Sequence, residues 1–167
     1  MRFFISDTHF HHENIIAHCN RPFKDVNEMD AFMIDRWNAM VDKDDEVWHL
    51  GDVCLNSKDC EDILPLLNGK KFLILGNHDG KMDAMLKAGF EKVYQQWKMR
   101  IGSKTVHMLH RPKALKGYDQ GQWLLHGHMH DKAPKVDRDS KRVNLSVEHW
   151  GYGPVPESAL LRILTTH

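Results

Sequence analysis

The chain has 167 residues, 41% hydrophobic and 28% charged, with 23 Lys+Arg against 23 Asp+Glu and therefore no formal net charge when His is neutral. That length fits one domain, residues 1–167, able to bury roughly two-thirds of its unfolded surface. The balance excludes a long-range field that would gather nucleic acid or an anionic membrane, though it leaves room for a local basic patch.

No apolar run approaches the roughly 18 residues of a membrane span. The N-terminus, Met1 to Asp7, turns polar too soon for a signal peptide. Cys19, Cys54 and Cys60 lack CxxC spacing and read as free thiols of a reducing, cytoplasmic compartment.

Residues 2–5 read as a short buried strand. Ile15, Ile16 and Cys19 at helical spacing predict a helix over 12–19, broken by Asn20-Arg21-Pro22-Phe23. Asn27 is the expected N-cap of a second helix reaching about residue 41, with Glu28 and Asp30 in its first turn. Residues 47–50 form a second strand, and Ser57 caps a helix through 67 that Asn68-Gly69 ends. A third strand over 71–75 leads to a helix over 81–88 with a Gly89 stop.

From Glu91 the pattern changes. Residues 93–101, 105–109, 123–125, 143–145 and 160–164 read as strands, with Gly102-Ser103 as a hairpin turn between the first two. A βαβ-like first half and a strand-rich second half predict an α/β fold of two stacked sheets with outer helices.

Thirteen residues are histidine, and the telling ones sit beside Asp, Asn or Gly at the ends of apolar runs. In order the clusters are Asp7-Thr8-His9, Gly51-Asp52, Gly76-Asn77-His78-Asp79, His110 and His126-Gly127-His128. In α/β sheets the ligand crevice lies beyond the carboxyl ends of strands, so five strand ends can converge there. Carboxylate, imidazole and amide oxygen suit Mn, Fe or Zn without a thiolate. Asp7 and His9, two apart, face the same way in an extended chain, as do His126 and His128. A bridge between two cations should be a carboxylate, and Asp52 is the only acid of the middle blocks not paired with a His. A lone Asp-x-His or Gly-Asp turn is weak evidence; the ordered set is not.

The wording Ser6-Asp7-Thr8-His9-Phe10 and Leu75-Gly76-Asn77-His78-Asp79, with DxH, GD, GNH[DE], H and GHxH in sequence from Asp7 to His128, resembles the calcineurin-like metallophosphoesterases. Their small bacterial and phage-type members are the nearest likeness. The resemblance implies a four-layer α/β/β/α sandwich with mixed sheets. It implies hydrolysis of a phosphate mono- or diester, with a small nucleotide-like substrate, by hydroxide bridging two divalent metal ions. Mn is the first choice, with Fe, Zn or Ni as alternatives. One metal would take Asp7, His9 and His128, the other Asn77, His110 and His126, and Asp52 would bridge them. His78 would protonate the leaving oxygen or stabilise the phosphate, with Asp79 orienting it.

Two rival readings are a nuclease acting on DNA or RNA, against which the neutral charge weighs, and an inactive metal-binding scaffold. Suitable residues at all seven ligand positions and at His78 weigh against the scaffold. Many relatives carry an Arg or Asp shortly after Gly-Asp, where this chain continues Val53-Cys54-Leu55-Asn56. The short stretch from Asn77 to His110 leaves no room for a separate cap domain.

Around the site, His11, His12, Arg21 and Arg111 are candidate substrate contacts, with Lys113 a second cation beside His110 and His12 also a candidate helix cap. Residues 115–122, with Lys116, Tyr118 and Gln120, are a candidate wall. His18 and His107 read as structural, His49 as a neighbour of the site or core, and Trp37, Trp48, Trp97 and Trp123 as core. Glu148-His149-Trp150-Gly151-Tyr152 could approach the site from the late strands, with packing the preferred reading.

Overall fold

The computed structural model describes residues 1–114 and 121–166. Its first half lays down β1 (Arg2–Ile5), β2 (Glu46–His49), β3 (Lys70–Ile74) and β4 (Lys92–Tyr94), all parallel, with β10 (Val155–Pro156) antiparallel on the β1 side. Strand alternation splits each strand between two cores. Phe3, Ile5, Val47 and Leu73 face the helices; Phe4, Trp48 and Ile74 face the second sheet.

The helices on the first face are α1 (Asn14–His18), α2 (Val26–Asn38), α3 (Ser57–Ile63) and α4 (Met82–Ala88). Met29, Met33 and Trp37 of α2 and Met85 of α4 pack there against the sheet. The caps differ from expectation by one or two residues. The Asp25 side chain accepts from the Glu28 N–H at the start of α2, so Asp25 rather than Asn27 is the cap, and Asn56 rather than Ser57 caps α3. α1 begins at Asn14 after Glu13 with no side-chain cap bond, so His12 caps nothing.

The second sheet has the order β5-β6-β7-β9-β8, from β5 (Trp97–Ile101), β6 (Lys104–Leu109), β7 (Trp123–His126), β9 (Arg142–Asn144) and β8 (Val136–Asp137). β6, β7 and β9 are mutually parallel. The run expected as one strand over 93–101 is two strands in different sheets, broken at 95–96. Trp97, expected in the core, is 40% exposed and stacks on Tyr94 at the sheet edge.

Residues 160–164, expected as a strand, belong to a helix, α5 (Glu157–Thr165). Leu160 and Leu164 stand one helical turn apart and enter the core between the sheets together, and Leu, Ala and Arg are strong helix formers. No helix among the described residues is long and apolar enough to cross a membrane.

Candidate metal centre

β1, β2, β3, β6 and β7 end at the same rim, and their following loops meet. The loop after β1 runs beside the loop after β2: Asp7 N–H donates to Gly51 O at 3.0 Å, His9 N–H to Asp52 O at 3.1 Å and Phe10 N–H to Val53 O at 2.9 Å. His49 joins them from below. Its Nδ1 accepts the Gly51 N–H at 3.2 Å, which leaves Nε2 to donate to Thr8 Oγ1 at 2.9 Å, and Thr8 donates on to Val53 O at 2.7 Å. Burial pulls His49 down to about 3, so this ring is neutral and its tautomer fixed.

Three triads of ligand atoms form among the described residues, each with its atoms within 4.8 Å of one another: Asp7, His9 and His130; Asp52, His110 and His128; and, behind His130, Cys19, His130 and Glu148. The first two face each other across the rim. Asp52 ties them together. Its Oδ2 is 3.3 Å from His110 Nε2 and 3.6 Å from His9 Nε2, while Oδ1 accepts the His78 N–H at 2.9 Å. Asn77 Oδ1 lies 3.0 Å from His110 Nε2, on the second triad's side.

This geometry groups the candidate ligands differently from the expected set. His130, which the sequence reading passed over, joins Asp7 and His9, with its Nε2 3.7 Å from Asp7 Oδ1 and its ring stacked on His9 at 5.3 Å. His128 belongs with Asp52 and His110 instead. His126 stands outside both triads, its Nδ1 2.9 Å from Gly127 O. The signal was in the sequence: GHxH starts at glycine, so Gly127-His128-Met129-His130 satisfies it and His126-Gly127-His128 does not. Gly127 is required for the close approach, because a Cβ there would lie 1.9 Å from Ser6 Oγ and 2.4 Å from Asp7 Oδ2.

The ligand loops are not extended, as alternation had suggested. Asp7, His9, His11, Asp52, His128 and His130 all have positive φ, between 46° and 68°. Asp and His tolerate this left-handed region better than most residues, and such conformations gather at functional sites.

Three further expectations fail for the same reason: the groups are already engaged. Asp79 does not orient His78. Its carboxylate accepts the N–H groups of Asp52 and Val53, each at 2.9 Å, and of Gly76 at 2.7 Å, clasping the Gly51-Asp52 and Gly76-Asn77 loops together. Arg21 is not a phosphate clamp but a buried cation, donating to Asp7 O at 2.7 Å, Thr8 O at 2.8 Å and Glu148 Oε1 at 2.8 Å and 3.0 Å. His11 turns to Asp30, Nδ1 to Oδ2 2.7 Å. His12 and His78 remain at the mouth, their rings edge-on to His9 at 5.5 Å and 5.4 Å. Arg111 is exposed and donates from Nε to Asn77 Oδ1 at 3.1 Å. Lys116, Tyr118 and Gln120, expected to wall the site, lie outside the described residues.

Glu148 is the second residue the sequence reading undervalued. It accepts from Arg21 and takes His130 Nδ1 at 3.0 Å, turning Nε2 toward Asp7. A carboxylate behind a ligating imidazole is the usual way to fix its tautomer. The contact spans 18 residues and the ion pair 127, distances that no local pattern reveals.

The donor set fits cations. Both ring nitrogens of His9 are buried with no hydrogen-bond partner, a state that a bound cation would relieve at one of them. Burial pulls His9 down to about 2, so its lone pair is free. Burial also opposes protonation of His130 and His110, yet both are raised: His130, to about 10, by Cys19 and Glu148, and His110 by Asp52 and Asp7. The site draws positive charge onto these rings, and bound cations would displace those protons.

Two facing mixed sheets with these blocks at their strand ends are the arrangement that the resemblance to the calcineurin-like metallophosphoesterases implied. No family model matches the chain. It is 34% identical over 171 residues to the uncharacterised protein MJ1445 of Methanocaldococcus jannaschii, covering 97% of this chain and 90% of that one. It is 31% identical to the Gene 66 protein of Mycobacterium phage L5, over 89% and 86% of the two chains. Among solved structures, the protein of unknown function AQ665 from Aquifex aeolicus superposes with a TM-score of 0.76 and 26% identity, covering 98% of each chain. The chain belongs to one family with MJ1445 and the Gene 66 protein; its ordered blocks resemble those of the calcineurin-like metallophosphoesterases.

Proposed function

We propose that this protein is a dinuclear metal-dependent phosphoesterase, hydrolysing a phosphate mono- or diester of a small nucleotide-like substrate in the cytoplasm. The observation that carries the reading is the pair of triads joined through Asp52, whose Oδ2 sits 3.6 Å from His9 Nε2 and 3.3 Å from His110 Nε2.

Asp7, His9 and His130 would hold one divalent ion and Asn77, His110 and His128 the other, with Asp52 between. Two such ions, Mn first, supply Lewis acidity toward phosphoryl oxygens and a nucleophile from water at neutral pH. The remaining work falls to the protein. Asp79 and His49 fix the loops that carry the ligands. His78, exposed at the mouth beside His9, delivers a proton to the leaving oxygen. His12, edge-on to both His9 and His78, lines the same side of the mouth.

The test is turnover of p-nitrophenyl phosphate and bis-p-nitrophenyl phosphate by stripped protein reloaded with Mn²⁺, beside a metal count. Two equivalents of metal and hydrolysis of at least one ester are expected. His78→Ala should lower turnover and retain both metals. An absence of turnover with every divalent ion would sink the reading.

A further inference from the structure

Beyond the ligands, one side of the rim is cationic and unpaired. A hollow of about 400 Å³ opens beside His128, lined by Arg111, Pro112, Lys113, His128 and Met129. A smaller one of about 90 Å³ shares Pro112, Lys113 and Met129 with it and reaches His126, Asp137 and Arg142. Together they form a groove leading from the second triad across the end of β7.

Arg111, Lys113 and Arg142 have no ion-pair partner among the described residues, while Arg21 on the opposite side of the site is fully paired. Arg142 Nε is buried with no acceptor. Asp137, its neighbour across the β8–β9 pair, spends its carboxylate on the Ser140 N–H and hydroxyl. In a chain with 23 cationic and 23 acidic residues, Arg111, Lys113 and Arg142 against the single carboxylate of Asp137 are a local excess of positive charge. A buried donor without an acceptor costs about 1–3 kcal/mol, which an acceptor entering the groove would relieve, and the excess of cations favours an anionic one.

The reacting phosphate belongs at Asp52, between the triads. Arg111, held to Asn77, is the first cation outward, and Lys113 and Arg142 lie further along. Met129 and Pro112 supply apolar wall between them. We propose that this groove binds a second phosphate of the substrate, one nucleoside away from the scissile ester. The proposal rests on the phosphoesterase reading and sharpens its substrate class. Guanidinium forks and an ammonium suit phosphate whether it ends a small nucleotide or continues a nucleic-acid strand.

Three matched esters test it: the p-nitrophenyl ester of thymidine 5′-monophosphate, the same ester bearing a 3′-phosphate, and the same ester on a dinucleotide, whose second phosphate is an internucleotide diester. The scissile bond is identical in all three. In Mn²⁺-loaded protein a second phosphate should raise kcat/KM at least about tenfold, the effect of one charge-assisted contact. Preference for the terminal phosphate identifies a small nucleotide, and preference for the diester a strand. In Lys113→Ala/Arg142→Ala the ratio should fall toward one, and Lys113→Arg/Arg142→Lys should restore it. Lys113→Ala alone, at an exposed position, gives part of the effect if the double variant fails to fold. Equal kcat/KM for all three esters, or a ratio untouched in variants that keep two metals, overturns the groove assignment while leaving a working phosphoesterase. No turnover of any of the three diesters overturns the groove assignment, and the phosphoesterase reading falls with it only if p-nitrophenyl phosphate is untouched as well.

Discussion

Glu148→Gln removes one charge and almost no volume, so it isolates what the buried ion pair contributes. In the native chain Glu148 Oε1 holds Arg21 at 2.8 Å and 3.0 Å and His130 Nδ1 at 3.0 Å, and the two side chains of the ion pair are only 0% and 7% exposed. Burial works to raise the Glu148 carboxyl, but His130 and Arg21 outweigh it and hold it at about 2. Against about 4.3 for a free glutamate, that depression is worth about 3 kcal/mol at neutral pH. Breaking a buried pair by removing one partner costs a similar amount, about 3–5 kcal/mol. Because Arg21 keeps the Asp7 and Thr8 carbonyls, the lower end is expected. For a chain of this length that is a fall in Tm of roughly 6–12 °C. The measurement is calorimetric melting at pH 7 with chelator present. A carboxyl held down in the folded state gives stability that is complete above its unfolded pKa and lost as pH falls through the folded one. The gap between wild type and variant should therefore close between about pH 5 and pH 2. Metal affinity of the Asp7–His9–His130 position should fall roughly 10–100-fold, as for other partners of ligating imidazoles. A Tm within about 2 °C of wild type at pH 7, or a gap that does not change with pH, would refute the account.

His130→Ala and His128→Ala should each reduce bound metal from two equivalents toward one, whereas His126→Ala should keep two; the reverse pattern by elemental analysis would restore the first assignment. Asp79→Ala frees three backbone N–H groups at once and should destabilise by roughly 3 kcal/mol while weakening both metals through Asp52, a pattern that mere loss of a His78 orienter would not give. Gly127→Ala forces a Cβ to within 1.9 Å of Ser6 Oγ, so its soluble yield or melting temperature should collapse, by at least about 3 kcal/mol. Chelation of the loaded protein should lower Tm by the linkage term, about 2.7 kcal/mol at one hundred times Kd, and readdition of Mn²⁺ should restore it.

The five strand ends were legible because each couples an apolar run to a turn-forming Gly, Asp or Asn, and both signals are local. The last block was misassigned by two residues because His126-Gly127-His128 and His128-Met129-His130 have the same spacing, and only the place of the glycine tells them apart. Residues 160–164 misled because a short apolar run carries no period; Leu160 and Leu164 declare the helix only once the sheets they enter are known. Arg21 and Asp79 looked like site residues because they lie beside ligands in sequence. Their partners, Glu148 and the backbone of Asp52 and Val53, come from far along the chain, and a hydrogen bond across that separation leaves no trace in composition or spacing.

The left-handed backbone at Asp7, His9, His11, Asp52, His128 and His130 has a consequence for how cations arrive. Each such residue costs roughly 1–2 kcal/mol, on the order of 10 kcal/mol in all, an expense met by the backbone and Asp79 hydrogen bonds that clasp the loops together. The ligand cage is thus preorganised. Ion uptake then orders few torsions, apo and loaded chains should superpose closely, and affinity is set by desolvating the ion and releasing protons rather than by closing loops.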